Sequence, residues 1–188
     1  MKFESTPITG VFLLSPEERR DDRGFFARMF CIEEFAARGL ETRVAQANIS
    51  SNSRRGTLRG MHYQLGAAAE VKIVRCTQGA VWDVALDLRP DSPTFGQSFG
   101  AELTAENHRM LYIPRGCAHG FITSTEDTEV FYLVSSLYAP AEERSVRWND
   151  PRFGIAWPAT VEQISPKDAA TPDFNEERNG IERLRGLI

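Results

Sequence analysis

Cysteine is scarce in this chain: Cys31, Cys76 and Cys117 are the only three in 188 residues, odd in number and far apart. There is no CxxC pair and no histidine at zinc-ligand spacing, so neither a disulfide framework nor a structural zinc organises the fold. A reducing cytoplasm is the compartment that fits. Long apolar runs are also missing, and none approaches the roughly 20 residues of a membrane-spanning helix. The N-terminal stretch MKFESTPITGVFLLSP has no signal-peptide pattern, because Glu4, Thr6, Pro7 and Gly10 interrupt its apolar residues. The mature chain is therefore expected to begin at Met1. A surplus of positive charge is lacking too. The formal net charge of −4 argues against a nucleic-acid binder, while leaving room for a locally basic pocket that holds an anionic small molecule. No internal repeat and no low-complexity segment is found.

What is present is enough apolar material, 41% of residues, to bury a sizeable core in one domain spanning 1–188. Strand candidates lie at Ile8–Leu14 and Phe25–Phe30, separated by the charged turn PEERRDDRG. Apolar residues at 32, 35, 36 and 40, with Glu33 and Glu34 in the first turn and Gly39 near the end, predict one short helix over Ile32–Leu40. From Arg43 the pattern becomes short apolar runs broken by Gly, Pro, Asn or Ser: VAQANIS, TLRGMHYQL, VKIVRCT, AVWDVALDL, GQSFGAEL, RMLYIP, HGFITS and TEVFYLVSS. Such spacing is the signature of an all-β sandwich or barrel. In Ala80–Leu88, Trp82, Val84, Leu86 and Leu88 share one face, read as core, and Asp83 and Asp87 share the other. Thr128–Ser136 is apolar on both faces and reads as a central strand. After Ala139 the composition turns polar, with Pro158, Pro166 and Pro172 in the last stretch, and reads as irregular segments wrapping the barrel.

The chemistry concentrates in Arg54–Gln64, RRGTLRGMHYQ, which joins arginines suited to an anion with one titratable base, His62. An exposed arginine turn beside a core histidine is the plain alternative. His119 lies in IPRGCAHGF, a Pro-x-Gly-x-x-His turn that resembles the second motif of cupins, double-sheet jelly rolls. Metal-binding cupins carry a His-x-His on an earlier strand, where this chain has His62-Tyr63-Gln64, so the ligand set is incomplete and no metal is expected. His108, among polar residues, reads as exposed. Lys72 shares a face with Val74 and Cys76 and either points into the barrel or sits at a strand edge. Tyr132 is a mid-strand tyrosine, and Asp168 in ISPKD is also an ordinary helix cap.

Taken together, RGTLRGMHYQ, VKIVRCTQGAVWDVALDLRPDSPTFG, IPRGCAHGF, EVFYLVSSLYAPAEERSVRWNDPRFGIAWP, ISPKD and the N-terminal DRGFF resemble the dTDP-4-dehydrorhamnose 3,5-epimerases, isomerases that act on nucleotide-linked 4-keto-6-deoxy sugars. The motifs run in order from Ile8 to about Asp168. The resemblance implies a cupin-like jelly roll with short helices and an irregular tail from about 158 to 188. It also implies a homodimer that exchanges N-terminal strands of about residues 1–30, and no cofactor or metal. On matching positions it makes His62 the general base, Asp168 the carboxylate that orients it, Tyr132 the acid on the opposite face and Lys72 the stabiliser of the enolate. Arg59 and His119 match contacts near the sugar and diphosphate. Gln46, Asn48, Glu143 and Lys167 match further substrate contacts, Tyr138 a ring that stacks on the nucleotide base, and Arg23 a residue reaching the partner's site.

The chemistry agrees with those roles. A 4-keto group acidifies the hydrogens on both neighbouring carbons, so inversion needs a base, an acid opposite it and positive charge near the carbonyl oxygen. Two departures stand out. Arg28 replaces a glutamate that meets the nucleotide in the family, and LGAAAEVK lacks the prolines usual there. Three other readings share parts of this pattern: a single-site epimerase, a metal-dependent cupin enzyme and a non-catalytic sugar-nucleotide binder.

Overall fold

Alternating apolar and polar residues with little helix propensity leave strands as the elements that can bury this sequence, and strands dominate the computed structural model, which describes residues 1–187. In chain order they are β1 (Lys2–Ser5), β2 (Phe12–Ser15), β3 (Arg19–Asp21), β4 (Gly24–Phe26), helix α1 (Ile32–Ala36), β5 (Gln46–Asn52), β6 (Thr57–Gln64), β7 (Lys72–Gln78), β8 (Ala80–Asp87), β9 (Ser98–Thr104), β10 (Met110–Ile113), β11 (Cys117–Thr123), β12 (Thr128–Val134), β13 (Glu143–Ser145), β14 (Gln163–Ile164) and helix α2 (Pro166–Ala169). Every run from Gln46 to Val134 that reads as a strand forms one.

Two sheets face each other as a jelly roll, the expected fold. One has the order β1-β2-β10-β7-β12-β5. The other runs β13-β6-β11-β8-β9, with β14 parallel to β6. Between them lies a core of residues such as Val74, Cys76, Val81, Ala85, Leu103, Leu111 and Val130. β12 is hydrogen-bonded on both sides, to β7 and β5, and its two apolar faces meet two clusters, Val130 in the core between the sheets and Leu133 in the cluster on the outer face.

The outer sheet faces are covered as well. Met29, Phe30 and the fully buried Phe35 of α1 close the first sheet over Ile73, Met110 and Tyr112. On the second sheet, Phe153, Ile181 and Leu184 of the C-terminal segment pack against Met61, Tyr63, Val84 and Leu86. This tail is tied down by hydrogen bonds from Tyr63 Oη to Asn179 O (2.8 Å) and from Phe174 N to Asp150 Oδ2 (2.6 Å). The expectation that irregular segments wrap the barrel thus holds, with β13, β14 and α2 as short ordered pieces within them.

Several expectations need correction. The Ile8–Leu14 strand starts only at Phe12, because the chain turns through Gly10 at φ 77° and Val11 N bonds back to Ile8 O. Phe25–Phe30 stays extended only to Phe26: β3 is too short to pair further, and Met29 and Phe30 turn inward. The helix ends at Ala36 rather than Leu40, closed by Gly39 at φ 68° and a Leu40 N bond to Phe35 O. In β8 neither face is solvated, since Asp83 and Asp87 are fully buried inside the barrel. Asp87 is satisfied there by Arg89, Ser92 and Thr94, and one oxygen of Asp83 pairs with His119.

Candidate active site

The mouth of the barrel opens into a cavity of about 730 Å³, continuous in its lining with a second of about 360 Å³; His62, Lys72 and Tyr132 border both. Strict alternation along β6 would send Arg59 and His62 to opposite faces. A bulge prevents this: on β11, His119 faces His62 and Phe121 faces Arg59, so three steps on β6 match two on β11. Both side chains consequently line the same cavity. The irregular pairing depends on glycine. Gly60 has φ 131°, and a Cβ there would lie 2.5 Å from Gly120 Cα.

His62 Nε2 lies 2.6 Å from Asp168 Oδ1. Asp168 arrives on α2, whose first turn is fixed by Pro166 and by Ser165, whose Oγ accepts the Asp168 N–H at 3.0 Å. The segment carrying it is pinned on either side, by Trp157 Nε1 donating to Trp148 O and by Phe174 on Asp150. Burial alone would raise the Asp168 carboxyl. The hydrogen bond and charge of His62, with the Gly60 N–H, outweigh that and hold it below the ordinary carboxylate range. An ionised carboxylate only accepts, so in the neutral ring Nε2 carries the hydrogen and Nδ1 the lone pair. A ring held in that tautomer can take a proton.

Tyr132 and Lys72 come from the opposite sheet. Burial, with the charge of Glu70, raises the Tyr132 phenol above its usual value against the opposing pull of Arg59, so it stays a proton donor at neutral pH. Lys72 is 11% exposed at its side chain and 3.1 Å from Glu70 Oε1. His119 Nε2 lies 2.7 Å from Asp83 Oδ1 within the barrel. Arg59 is aimed by its Nε donating to Asn52 Oδ1 at 2.7 Å. Cys76, at the barrel floor, is pushed up to about 11 by burial and is no nucleophile at neutral pH.

The second cavity collects Gln46, Asn48, Tyr138 and Glu143. Tyr138 N donates to Gln46 Oε1 at 2.9 Å, and its hydroxyl donates to Glu143 Oε2 at 2.9 Å. Lys167 Nζ reaches the same Glu143 oxygen at 2.6 Å. Burial opposes ionisation of Glu143, but its bonds from Lys167 and Tyr138 prevail and keep its carboxyl low. The half-exposed Tyr138 ring stands at the rim.

The structure thus gathers His62, Asp168, Tyr132, Lys72, Arg59, His119, Gln46, Asn48, Tyr138, Glu143 and Lys167 around one opening. It leaves out Arg23 and Arg28. Arg23 is 89% exposed and paired with Asp21 at 2.6 Å, while Arg28 is 3.8 Å from Glu34; neither borders the cavities of its own chain. His108 is not exposed as expected: its side chain is 20% accessible, packed on Phe25 at 4.9 Å and facing Glu18 at 3.7 Å. Sequence reasoning missed Asp83, Glu70 and Ser165. Asp83 was legible as the partner of an inward histidine only if β8 were known to face the barrel on its polar side. Ser165 carried the signal of a serine before proline at a helix start. Among the described residues no three His, Cys, Asp or Glu side chains converge as a metal-ligand set.

Comparison with known proteins agrees with the jelly-roll fold. Residues 5–176 match the family profile described as dTDP-4-dehydrorhamnose 3,5-epimerase. The dTDP-4-dehydrorhamnose 3,5-epimerase of Salmonella typhimurium is 44% identical over 169 residues, 89% of this chain and 92% of that protein. A dTDP-4-dehydrorhamnose 3-epimerase of Streptomyces niveus is 39% identical over 169 residues, 89% of this chain and 81% of that one. The crystal structure of dTDP-4-dehydrorhamnose 3,5-epimerase from Elizabethkingia anophelis superposes with a TM-score of 0.91 at 39% identity, covering 95% of this chain and 98% of that chain. A chain with this jelly roll, this histidine–carboxylate pair and these relatives belongs to the dTDP-4-dehydrorhamnose 3,5-epimerase family, and is an isomerase.

Proposed function

We propose that the enzyme inverts carbons flanking the keto group of a dTDP-linked 4-keto-6-deoxy sugar by removing a proton on one face and returning one on the other. The observation that carries this is the His62–Asp168 pair at 2.6 Å bordering the same cavity as the un-ionised Tyr132 phenol. His62 Nδ1 takes the proton from C3 or C5. The bonding pair moves into the C–C bond as the carbonyl π electrons shift onto O4, giving an enolate beside the Lys72 ammonium. Tyr132 then donates its phenol proton to the opposite face while O4 re-forms the carbonyl. The resulting tyrosinate and imidazolium exchange protons with solvent to reset the site. The balance is closed within substrate, protein and water. Arg59 and His119 serve the diphosphate and sugar, Gln46, Asn48, Glu143 and Lys167 the remaining polar groups, and Tyr138 the nucleotide base.

The chain is read as one domain that works as a homodimer. In favour of this, the β3–β4 hairpin pairs only with itself, all its residues are exposed, and Phe26 at its open end is 65% accessible. Exchange of this arm would bring Arg23, and with it Arg28, to the partner's cavity. The unpaired cysteines agree with a cytoplasmic setting.

The test is incubation with a panel of nucleotide 4-keto-6-deoxy sugars in D₂O, read by NMR. Deuterium at C3 and C5 with inverted configuration is expected with the dTDP sugar. Uptake at one carbon alone marks a single-site epimerase, and no uptake from any member of the panel overturns the reading.

A further inference from the structure

Glu70 stands in the connection between β6 and β7, and none of the motifs gives it a role. Its side chain is 10% exposed, and its Oε1 lies 3.1 Å from Lys72 Nζ. Its Oε2 accepts a hydrogen bond from Gln64 Nε2 at 2.8 Å. Gln64 is itself buried: the same nitrogen reaches Leu137 O at 3.3 Å, and its Oε1 accepts the Ala139 N–H at 2.6 Å. An unbroken chain of contacts therefore runs from the Lys72 ammonium through Glu70 and Gln64 to the segment on either side of Tyr138. Both carboxylate oxygens are used in it. Glu70, Lys72 and Tyr132 border one cavity.

A lysine brings a compact charge on a flexible four-carbon stem, so without a fixed partner its ammonium samples many positions. Here the partner is two residues away in sequence and nearly buried. We propose that Glu70 is a positioning residue for the reaction, its carboxylate fixing the Lys72 ammonium beside Tyr132 and tying that pair through Gln64 to the Tyr138 segment. The proposal rests on the epimerase reading for its catalytic consequence, but its electrostatic consequence stands apart from any substrate.

That consequence concerns Tyr132. The groups facing it across the cavities are Arg59 and His62 on β6, Lys72 on β7, His119 on β11, Glu70 and Glu143. Asp168 is taken up by His62, and Lys167 by Glu143. Glu70 is in turn paired with Lys72, and of these carboxylates it is the one whose charge raises the Tyr132 phenol, after burial itself.

Glu70→Gln retains the side chain's length and an oxygen to accept from Gln64 while removing the charge. With the dTDP sugar, kcat is expected to fall about tenfold or more with KM held within about twofold, the pattern of an interaction made chiefly in the transition state. The alkaline limb of kcat should move to lower pH. In protein labelled with ¹³Cζ-tyrosine, the resonance absent from Tyr132→Phe should titrate at lower pH in Glu70→Gln than in the wild type, without substrate. An unchanged kcat together with an unchanged titration overturns the proposal. A wild-type protein that epimerises nothing sinks the functional reading alone, and the titration then judges Glu70 by itself. If Glu70→Gln does not fold, Glu70→Asp carries the test. It keeps the charge but shifts it by one methylene, and should lower kcat at unchanged KM; undiminished kcat in that variant overturns the proposal.

Discussion

Two histidine–aspartate pairs have their histidines directly opposite each other on neighbouring strands, and they differ in nearly everything except their hydrogen bonds. His62–Asp168 spans 2.6 Å and His119–Asp83 spans 2.7 Å. The His62 side chain is 30% exposed and the His119 side chain 9%. Asp168 comes from a short capped helix in the tail and has its second oxygen near the Gly60 N–H, at 3.4 Å. Asp83 belongs to the middle of β8, is fully buried, and its Oδ2 has no hydrogen-bond partner. The same two residue types thus give an accessible, fully partnered pair and a more deeply buried, partly partnered one. Accessibility, more than the pairing itself, decides which imidazole can exchange protons with substrate and solvent.

The sharpest way to break this contrast is His62→Ala. If only the accessible pair moves protons, deuterium uptake at both carbons should disappear, a loss on the order of 10²–10⁴-fold or more, while dTDP still binds. Exchange that survives at wild-type rate would hand the role to His119. Asp168→Asn comes next. Its amide can present N–H groups to Nε2, which would leave the hydrogen on Nδ1 and the base in the wrong tautomer, so a loss of about 10²–10⁴-fold in kcat is expected. A variant within about twofold of wild type would show that Asp168 does not set the tautomer. Tyr132→Phe sharpens the comparison from the acceptor face. The enolate should still form, so label should enter without inversion, whereas a tyrosine that is merely structural would cost about 1 kcal/mol of stability and leave the ratio of inversion to exchange unchanged.

The two pairs also differ in how far they could be read from sequence. His62 was visible because arginine and histidine crowd one strand, and His119 because of its turn motif. The strands from Gln46 to Val134 were legible through their alternation and breakers. Asp168 could be reached by resemblance alone: the contact between positions 62 and 168 depends on a tail crossing the outer sheet, which no local pattern encodes. Asp83 was misread because period-two alternation says which residues share a face but not whether the second face is solvated. Here the tail covers the Trp82 face and the barrel interior takes the aspartates. The placement of Arg59 beside His62 was equally invisible, since the bulge at Gly60 shifts the alternation. The short helix starts where its spacing predicts, at Ile32, but stops early, closed by Gly39, and the early end of β4 answers to packing over Ile73 and Tyr112 rather than to its own spacing.

Asp83→Asn tests the more deeply buried pair. The amide oxygen can still accept from His119 Nε2, and the oxygen that now lies buried without a partner becomes an uncharged amide nitrogen. Burying a neutral group costs less than burying an ion, so the melting temperature is expected to stay level or rise. Activity should drop less than about tenfold, far less than for Asp168→Asn. A loss equal to that of Asp168→Asn would dissolve the distinction between the pairs.

The smallest effect is expected in acid. The folded state holds the Asp168 carboxyl below its ordinary value, so it contributes stability that is fully present above the unfolded carboxylate range. That contribution is lost as pH falls through the folded value. Asp168→Asn, which cannot ionise, lacks this component at every pH. The gap in unfolding free energy between wild type and variant should therefore be widest near neutrality and shrink as pH is lowered through and below the ordinary aspartate range. Urea unfolding of the two proteins across that span checks the sign. A gap that is constant, or that widens at the acid end, would mean that the His62–Asp168 contact is not held by an ionised carboxylate, and the tautomer assigned to His62 would fall with it.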